Sequence, residues 1–251
     1  MPNSERTQYL SYLERVILRF DFGPSFAYYP ADVKTIIFNA LPWTLTLLLT
    51  TTVIGWALGN MVGLVAGYFH TRKMATVLEI VGIMIYPIPY YILAVSVILL
   101  FAYVWPIFPL SATFPVGEFS LNKMWLIIYN SFLPALALVL AGFGWNILSM
   151  KALAVATTEE AYVTYARLKG ASNWTRMTRY VFRNAMLPQV TALALSIGTV
   201  FNGALLTEIA ASGGDYNVLY GVITVSIIAV ATAGLVIDLL YPLLDPRIRH
   251  K

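Results

Sequence analysis

No cysteine occurs anywhere in the chain, so neither a disulfide framework nor a thiolate metal site is open to it. Histidine is almost as scarce: His70 and His250 are the only two, both in basic flanks, which excludes a histidine metal cluster. No Gly-Lys pair occurs, so there is no phosphate-cradling P-loop and the chain does not hydrolyse nucleotide by that route. No serine has a matching base. The N-terminal residues are polar and lack the apolar core of a signal peptide. Charge is the most telling shortage. Charged residues make up 11% of the 251, against about 25% in soluble proteins.

What is present is apolar. Hydrophobic residues reach 59% and the mean hydropathy is +0.73, too greasy to cover a water-soluble globule. The chain therefore reads as an integral membrane protein, and its net charge of +4 fits basic loops beside a membrane without any nucleic acid. Residues 5–20 place Tyr9, Tyr12, Val16 and Phe20 on one face, the period of a short amphipathic helix, and an aromatic turn-rich stretch follows. Five segments then exceed or reach the ~20 apolar residues that cross a bilayer: 41–69, 75–105, 124–150, 187–211 and 219–244.

Within the first, Gly55, Gly59, Gly63 and Gly67 form a small-residue stripe suited to close helix packing, internal rather than between subunits. The second contains Tyr86-Pro87-Ile88-Pro89-Tyr90-Tyr91, where each proline removes a backbone donor and bends the helix. That bend serves either packing or a pathway lined by tyrosines. Glu79, Glu208 and Asp238 lie in or near spans, but toward their ends and without mid-membrane partners, which counts against a proton relay. Glu79 and Asp238 are expected to snorkel or to pair with Arg72, Lys73 or Arg247.

The longest polar interruption runs from Lys151 to Pro188 and carries Lys151, Arg167, Lys169, Arg176, Arg179 and Arg183 among tyrosines and a tryptophan. It predicts two short helices, at about 159–169 and 172–184, broken at Gly170-Ala171-Ser172-Asn173. A lipid-headgroup patch needs neither the aromatics nor the break. Basic residues divide eleven to five between the two sides, which puts this segment and the C-terminus in the cytoplasm and, with five spans, the N-terminus outside.

This pattern resembles the permease subunits of binding-protein-dependent ABC importers. Their cytoplasmic EAA loop matches Thr164-Tyr165-Ala166, then Gly170-Ala171 and Leu187-Pro188, with Thr164 in place of the family glutamate; Glu159-Glu160-Ala161 has the wrong spacing. The run Tyr165–Ala171, the block Arg183–Pro188 and the ending Asp238–Arg249 are similar to the dipeptide, oligopeptide and nickel branch. The resemblance implies an all-α, polytopic helical bundle of the type I importer kind. It further implies an external segment over 1–38 and a transmembrane permease domain over 39–251, with a coupling loop at 151–187. The family has six spans; a first one, and a Pro-Gly-containing external segment near Gly213-Gly214, are not found here, which is expected either if this sequence omits pieces of the native chain or if the protein is a trimmed variant of the family.

It implies no catalytic residues and no cofactor on this chain, with Mg-ATP bound instead on two cytoplasmic ABC ATPase subunits. A second permease subunit, an extracellular substrate-binding protein and membrane lipid are the remaining partners, in a prokaryotic cytoplasmic (inner) membrane. Thr164, Tyr165, Ala166, Lys169, Gly170, Ala171, Leu187 and Pro188 would couple to the ATPase, and Tyr86, Pro87, Tyr90, Tyr91 and Glu208 would line the path. Peptides are the expected cargo, with oligosaccharides or nickel as other cargoes of the branch. An ATPase-independent carrier or channel, and a non-transporting scaffold, are the competing readings from the residues alone.

Overall fold

The computed structural model describes residues 5–109, 121–211 and 215–244; side chains are described within 9–109, 124–197 and 215–235, apart from Ile17 and Ala233, and at Leu239. Among the described residues all regular structure is helical, with one isolated bridge between Pro24 and Asp32. The helices are α1 (Glu5–Arg19), α2 (Val33–Tyr68), α3 (Lys73–Ile85), α4 (Tyr90–Ile98, continued by π-helical turns over Leu99–Val104) and α5 (Leu121–Thr158). They continue as α6 (Ala161–Leu168), α7 (Asn173–Thr175, continued by π-helical turns over Arg176–Phe182), α8 (Arg183–Ala211) and α9 (Tyr216–Leu244). The side chains of Glu208 and Asp238, the turn at 212–214 and the basic C-terminal residues Arg247, Arg249 and Lys251 lie outside the described residues.

Among the described residues, α2 and the 124–158 part of α5 are each long and apolar enough to cross a membrane, and α3 with α4 adds a third, broken, candidate. The bounds depart from the sequence expectation at α2 and α5. α2 begins at Val33 rather than Leu41, because Val33 and Ile37 are buried and hold that extra stretch in a core. α5 runs to Thr158 rather than stopping at Met150. Residues 151–158 are rich in alanine, a strong helix former, and the Thr157 and Thr158 hydroxyls donate back to the Leu153 and Ala154 carbonyls at 2.7 Å each.

By contacts the chain divides into two compact units, residues 1–46 with 198–236 and residues 47–197 with 237–251. In the first, Val16, Phe22, Val33 and Ile37 form a small core against Val218, Val222 and Val225. Tyr12 of the predicted amphipathic face meets the edge of Tyr220, whereas Tyr9 is exposed. Asp215 ties this unit together. It accepts from the Ser25 hydroxyl at 2.6 Å and from the backbone N–H groups of Ala27 (3.0 Å) and Val218 (3.2 Å), while Asn217 donates to the Pro24 carbonyl. Burial alone would raise the Asp215 carboxyl, but the hydrogen bonds from Ser25, Ala27, Val218 and Phe26 outweigh it and hold the group below its ordinary value.

The second unit is built on α5. The glycine stripe of α2 lies flat on it: a Cβ at Gly59 would sit 2.5 Å from Asn146 Cβ, at Gly63 2.6 Å from the Ile147 carbonyl oxygen, and at Gly67 2.6 Å from Ala154 Cβ. The stripe is therefore an internal packing seam, as expected, and α2 runs parallel to α5. α3 packs antiparallel on the same helix. Glu79 pairs with Lys151, Gly82 faces Ile147 and Leu148, and Gly144 leaves no room for a Cβ against the Tyr86 backbone. Glu79 thus pairs with neither Arg72 nor Lys73, because the antiparallel register brings Lys151 beside it.

Candidate functional site

Two places in the second unit gather the residues singled out from the sequence. The first is the segment after α5. The helix stops at Glu159-Glu160, and α6 begins with the Glu160 carbonyl accepting from Val163 and Thr164. α6 is amphipathic. Val163 and Ala166 are buried, the former in a core with Leu64, Met150, Ala154, Met177, Val181 and Ala185, while Thr164 and Tyr165 face outward.

The break after α6 has a definite form. Gly170 adopts φ +78°, and its N–H donates to the Arg167 carbonyl at 3.0 Å while Ala171 N–H donates to Ala166 at 3.1 Å. This pair of bonds is a Schellman closure, in which a left-handed residue just past the helix end satisfies its last carbonyls. Glycine suits that φ because a Cβ there would be strained. Ser172 then caps the next helix by accepting from Thr175 N–H at 3.2 Å. The spacing from Ala166 to Gly170-Ala171 is thus the spacing of one helix-closing turn.

The second predicted short helix does not end near residue 184. From Asn173 the helical path continues through the π-helical turns into α8 without a break, and Pro188 sits inside it. No glycine follows Arg183 before Gly198, and prolines are tolerated inside membrane helices where neighbours satisfy the freed groups. The segment is therefore one free-standing helix, α6, followed by the extended root of α8. Leu187 and Pro188 are exposed on that root.

The surface on either side of Gly170 is apolar and basic. Leu168 is 81% exposed, Trp174 70% and Tyr165 58%, and Lys169 Nζ lies 4.6 Å from the Tyr165 ring centroid. The Tyr162 phenol on α6 is raised by burial and by the Glu160 carboxylate, with a hydrogen bond from Asn184 pulling the other way. Leu168 was not singled out in the sequence. Its signal is available only afterwards: three residues after Tyr165, it faces the same way on α6.

The second place is the Tyr86–Tyr91 stretch. The two prolines do more than kink a helix: α3 ends at Ile85, α4 starts at Tyr90, and their axes meet at 97°. Tyr86, Pro87 and Tyr91 are exposed, and Tyr90 is half-buried. The Tyr86 ring faces the ring of Trp145 on α5, with centroids 5.3 Å apart and planes tilted by 32°. Trp145 was not anticipated; the adjacent Gly144, which lets α3 come this close, is its trace in the sequence. Between the two places lies a buried polar node. Trp56 Nε1 donates to the Gln189 carbonyl at 3.0 Å and the Gln189 amide to Ser149 Oγ at 2.7 Å, joining α2, α5 and α8 just beyond Pro188.

Residues 59–250 match the family model described as "Binding-protein-dependent transport system inner membrane component". The chain is similar to the inner membrane ABC transporter permease protein YejB of Escherichia coli O157:H7, with 30% identity over 92% of this chain and 68% of that protein. It is 28% identical to the dipeptide transport system permease protein DppB of Bacillus subtilis, over 97% of this chain and 80% of the relative. A protein of Agrobacterium fabrum named as a peptidoglycan transport system permease, also YejB, is 28% identical over 92% of this chain and 68% of its own length.

Proposed function

The chain belongs to the family of binding-protein-dependent transport system inner membrane components, and from that premise we propose that it forms the translocation path of an ATP-driven importer for peptides. Oligosaccharides are the second cargo, in keeping with the relative named for peptidoglycan transport. Cargo arrives on an extracellular binding protein. A second permease subunit completes the path, and two cytoplasmic ABC ATPases bind Mg-ATP and supply the work. The C-terminus and the α5–α8 segment face the cytoplasm.

The observation that carries this reading is the α6–Gly170–α8 corner. A side chain as apolar as Leu168 or Trp174, left 81% and 70% exposed beside Arg167, Lys169 and Arg176, is costly in water and suits a protein partner. Tyr165, Leu168 and Trp174 would enter the ATPase cleft. Thr164 and Lys169 would flank it. Ala166, Gly170 and Ala171 keep the corner rigid, and Leu187 and Pro188 carry its displacement into α8. From there the Trp56–Gln189–Ser149 node passes movement to α2 and α5. Tyr86, Pro87, Tyr90 and Tyr91 line the path. The Glu79–Lys151 pair neutralises the one described carboxylate on the α3–α5 seam, which leaves no free acid there for proton coupling.

The test is co-purification. With Leu168→Ala and Trp174→Ala combined, the permease should insert and keep its melting temperature, because neither side chain packs in the core. Truncating central interface residues costs about 1–2 kcal/mol each or more, so recovery of the ATPase chains should drop roughly tenfold or further. Full recovery of ATPase from the double variant would refute the docking assignment.

A further inference from the structure

The helix break and the ring pair beside it carry a second conclusion, which rests on the transport reading above. We propose that Tyr86 and Trp145 form an aromatic subsite in the translocation path that takes the ring-bearing side chain of a passing peptide.

Depth comes first. Tyr86 follows the 13 residues of α3, and Trp145 lies 13 residues before the end of α5 at Thr158. At about 1.5 Å per residue both are about 20 Å from those helix ends. Arg72 and Lys73 mark the interface end of α3. The break therefore falls inside the ~30 Å hydrocarbon core. Pro87 has no N–H to give the Ile83 carbonyl, and Tyr86, Pro87 and Pro89 are exposed. Non-helical backbone is not tolerated against lipid at such depth; it must border water or protein.

Trp145 gives a second, independent reason. It is 53% exposed, and among the described residues its indole N–H has no acceptor. Tryptophan facing bilayer belongs in the interfacial belts, where that N–H meets water. About 20 Å from one face of the core and about 10 Å from the other, it belongs on an aqueous path. Glu79 and Lys151, the charges nearest the rings on the same two helices, are seven and six residues away along their helices and engage each other. The ring pair therefore stands in an uncharged stretch. It offers two tilted faces and an N–H donor, which suits an aromatic side chain and an adjacent peptide carbonyl rather than a charged terminus.

The chain has no cysteine, so Tyr86→Cys, Trp145→Cys and Ile128→Cys each introduce a unique thiol in it. In the complete reconstituted importer, a charged, membrane-impermeant methanethiosulfonate should label this chain at positions 86 and 145 and leave the Ile128→Cys variant unlabelled. In the same assembly Trp145→Ala should lower uptake of a phenylalanine-containing tripeptide relative to trialanine by roughly 2- to 10-fold. Trp145→Phe should preserve the ratio. If wild-type uptake is intact but Trp145→Cys is unlabelled, lipid or the second subunit covers the rings and the subsite is refuted. Labelling with an unchanged uptake ratio refutes it too. Absence of peptide uptake by the wild-type assembly would overturn the transport reading itself, and the subsite with it.

Discussion

The α2–α5 seam makes a quantitative demand that two glycines test against each other. At Gly63 a Cβ would lie 2.6 Å from the Ile147 carbonyl oxygen and 2.8 Å from Met150 Cβ, where ordinary contact begins at 3.4 Å. Gly63→Ala must therefore push the helices apart locally by about 0.8 Å, and overpacking of this kind costs about 1–3 kcal/mol. At Gly142, on α5, the nearest atom to a built Cβ is Asn146 Nδ2 at 3.8 Å, so Gly142→Ala meets no obstacle. Both substitutions gain the same helix propensity, about 0.8–1 kcal/mol, which cancels in the comparison. Apparent melting of the purified complex in detergent should then place Gly63→Ala below Gly142→Ala by roughly 2–12 °C, at about 2–4 °C per kcal/mol for a chain of this size. Equal melting temperatures would show that α2 and α5 do not pack through this stripe.

Three further outcomes follow from named contacts. Glu79→Gln and Lys151→Met should each destabilise the protein, while the double variant recovers part of the loss, with a coupling of roughly 0.5–3 kcal/mol in a double-mutant cycle; strict additivity would mean the ion pair is incidental. The Asp215 carboxyl sits below its ordinary value, so the stability it contributes is present above the unfolded value near 3.9 and is lost as pH falls through the lower folded one. The melting gap between wild type and Asp215→Asn should accordingly be constant from pH 6 to 8 and close below about pH 4; a gap that widens on acidification would reverse the sign. Ala166 is buried against the core of the α6 segment, so Ala166→Asp places an unpaired charge there and should cost the complex several degrees, at about 2–4 °C per kcal/mol, unlike the surface change Tyr165→Ala.

Much of this was legible in local sequence because its causes are local. The Pro87-Pro89 pair removes donors wherever it falls, and a glycine every fourth residue is a stripe on any helix. Gly170-Ala171 after Ala166 reads as a helix-closing turn once the left-handed residue is recognised. Contacts set by register were not legible. Glu79 finds Lys151, and Tyr86 finds Trp145, only because α3 lies antiparallel on α5 at one offset. Asp215 holds Ser25 across 190 residues, which no local pattern announces. Charge was also a poor guide to element ends: Lys151 looks like the start of a loop, yet the alanines around it and the two back-bonded threonines keep α5 helical to Thr158.

The central claim is that movement of the Gly170 corner is what couples this chain to ATP. Proline cannot adopt φ +78° and lacks the N–H that Gly170 gives to Arg167, a mismatch of about 3 kcal/mol or more, whereas asparagine tolerates that conformation. ATP-driven peptide uptake into proteoliposomes of the complete importer should fall at least about tenfold in Gly170→Pro while ATP hydrolysis continues, and should persist in Gly170→Asn. Uptake by Gly170→Pro at the wild-type rate, or wild-type uptake that proceeds without ATP, would contradict the account.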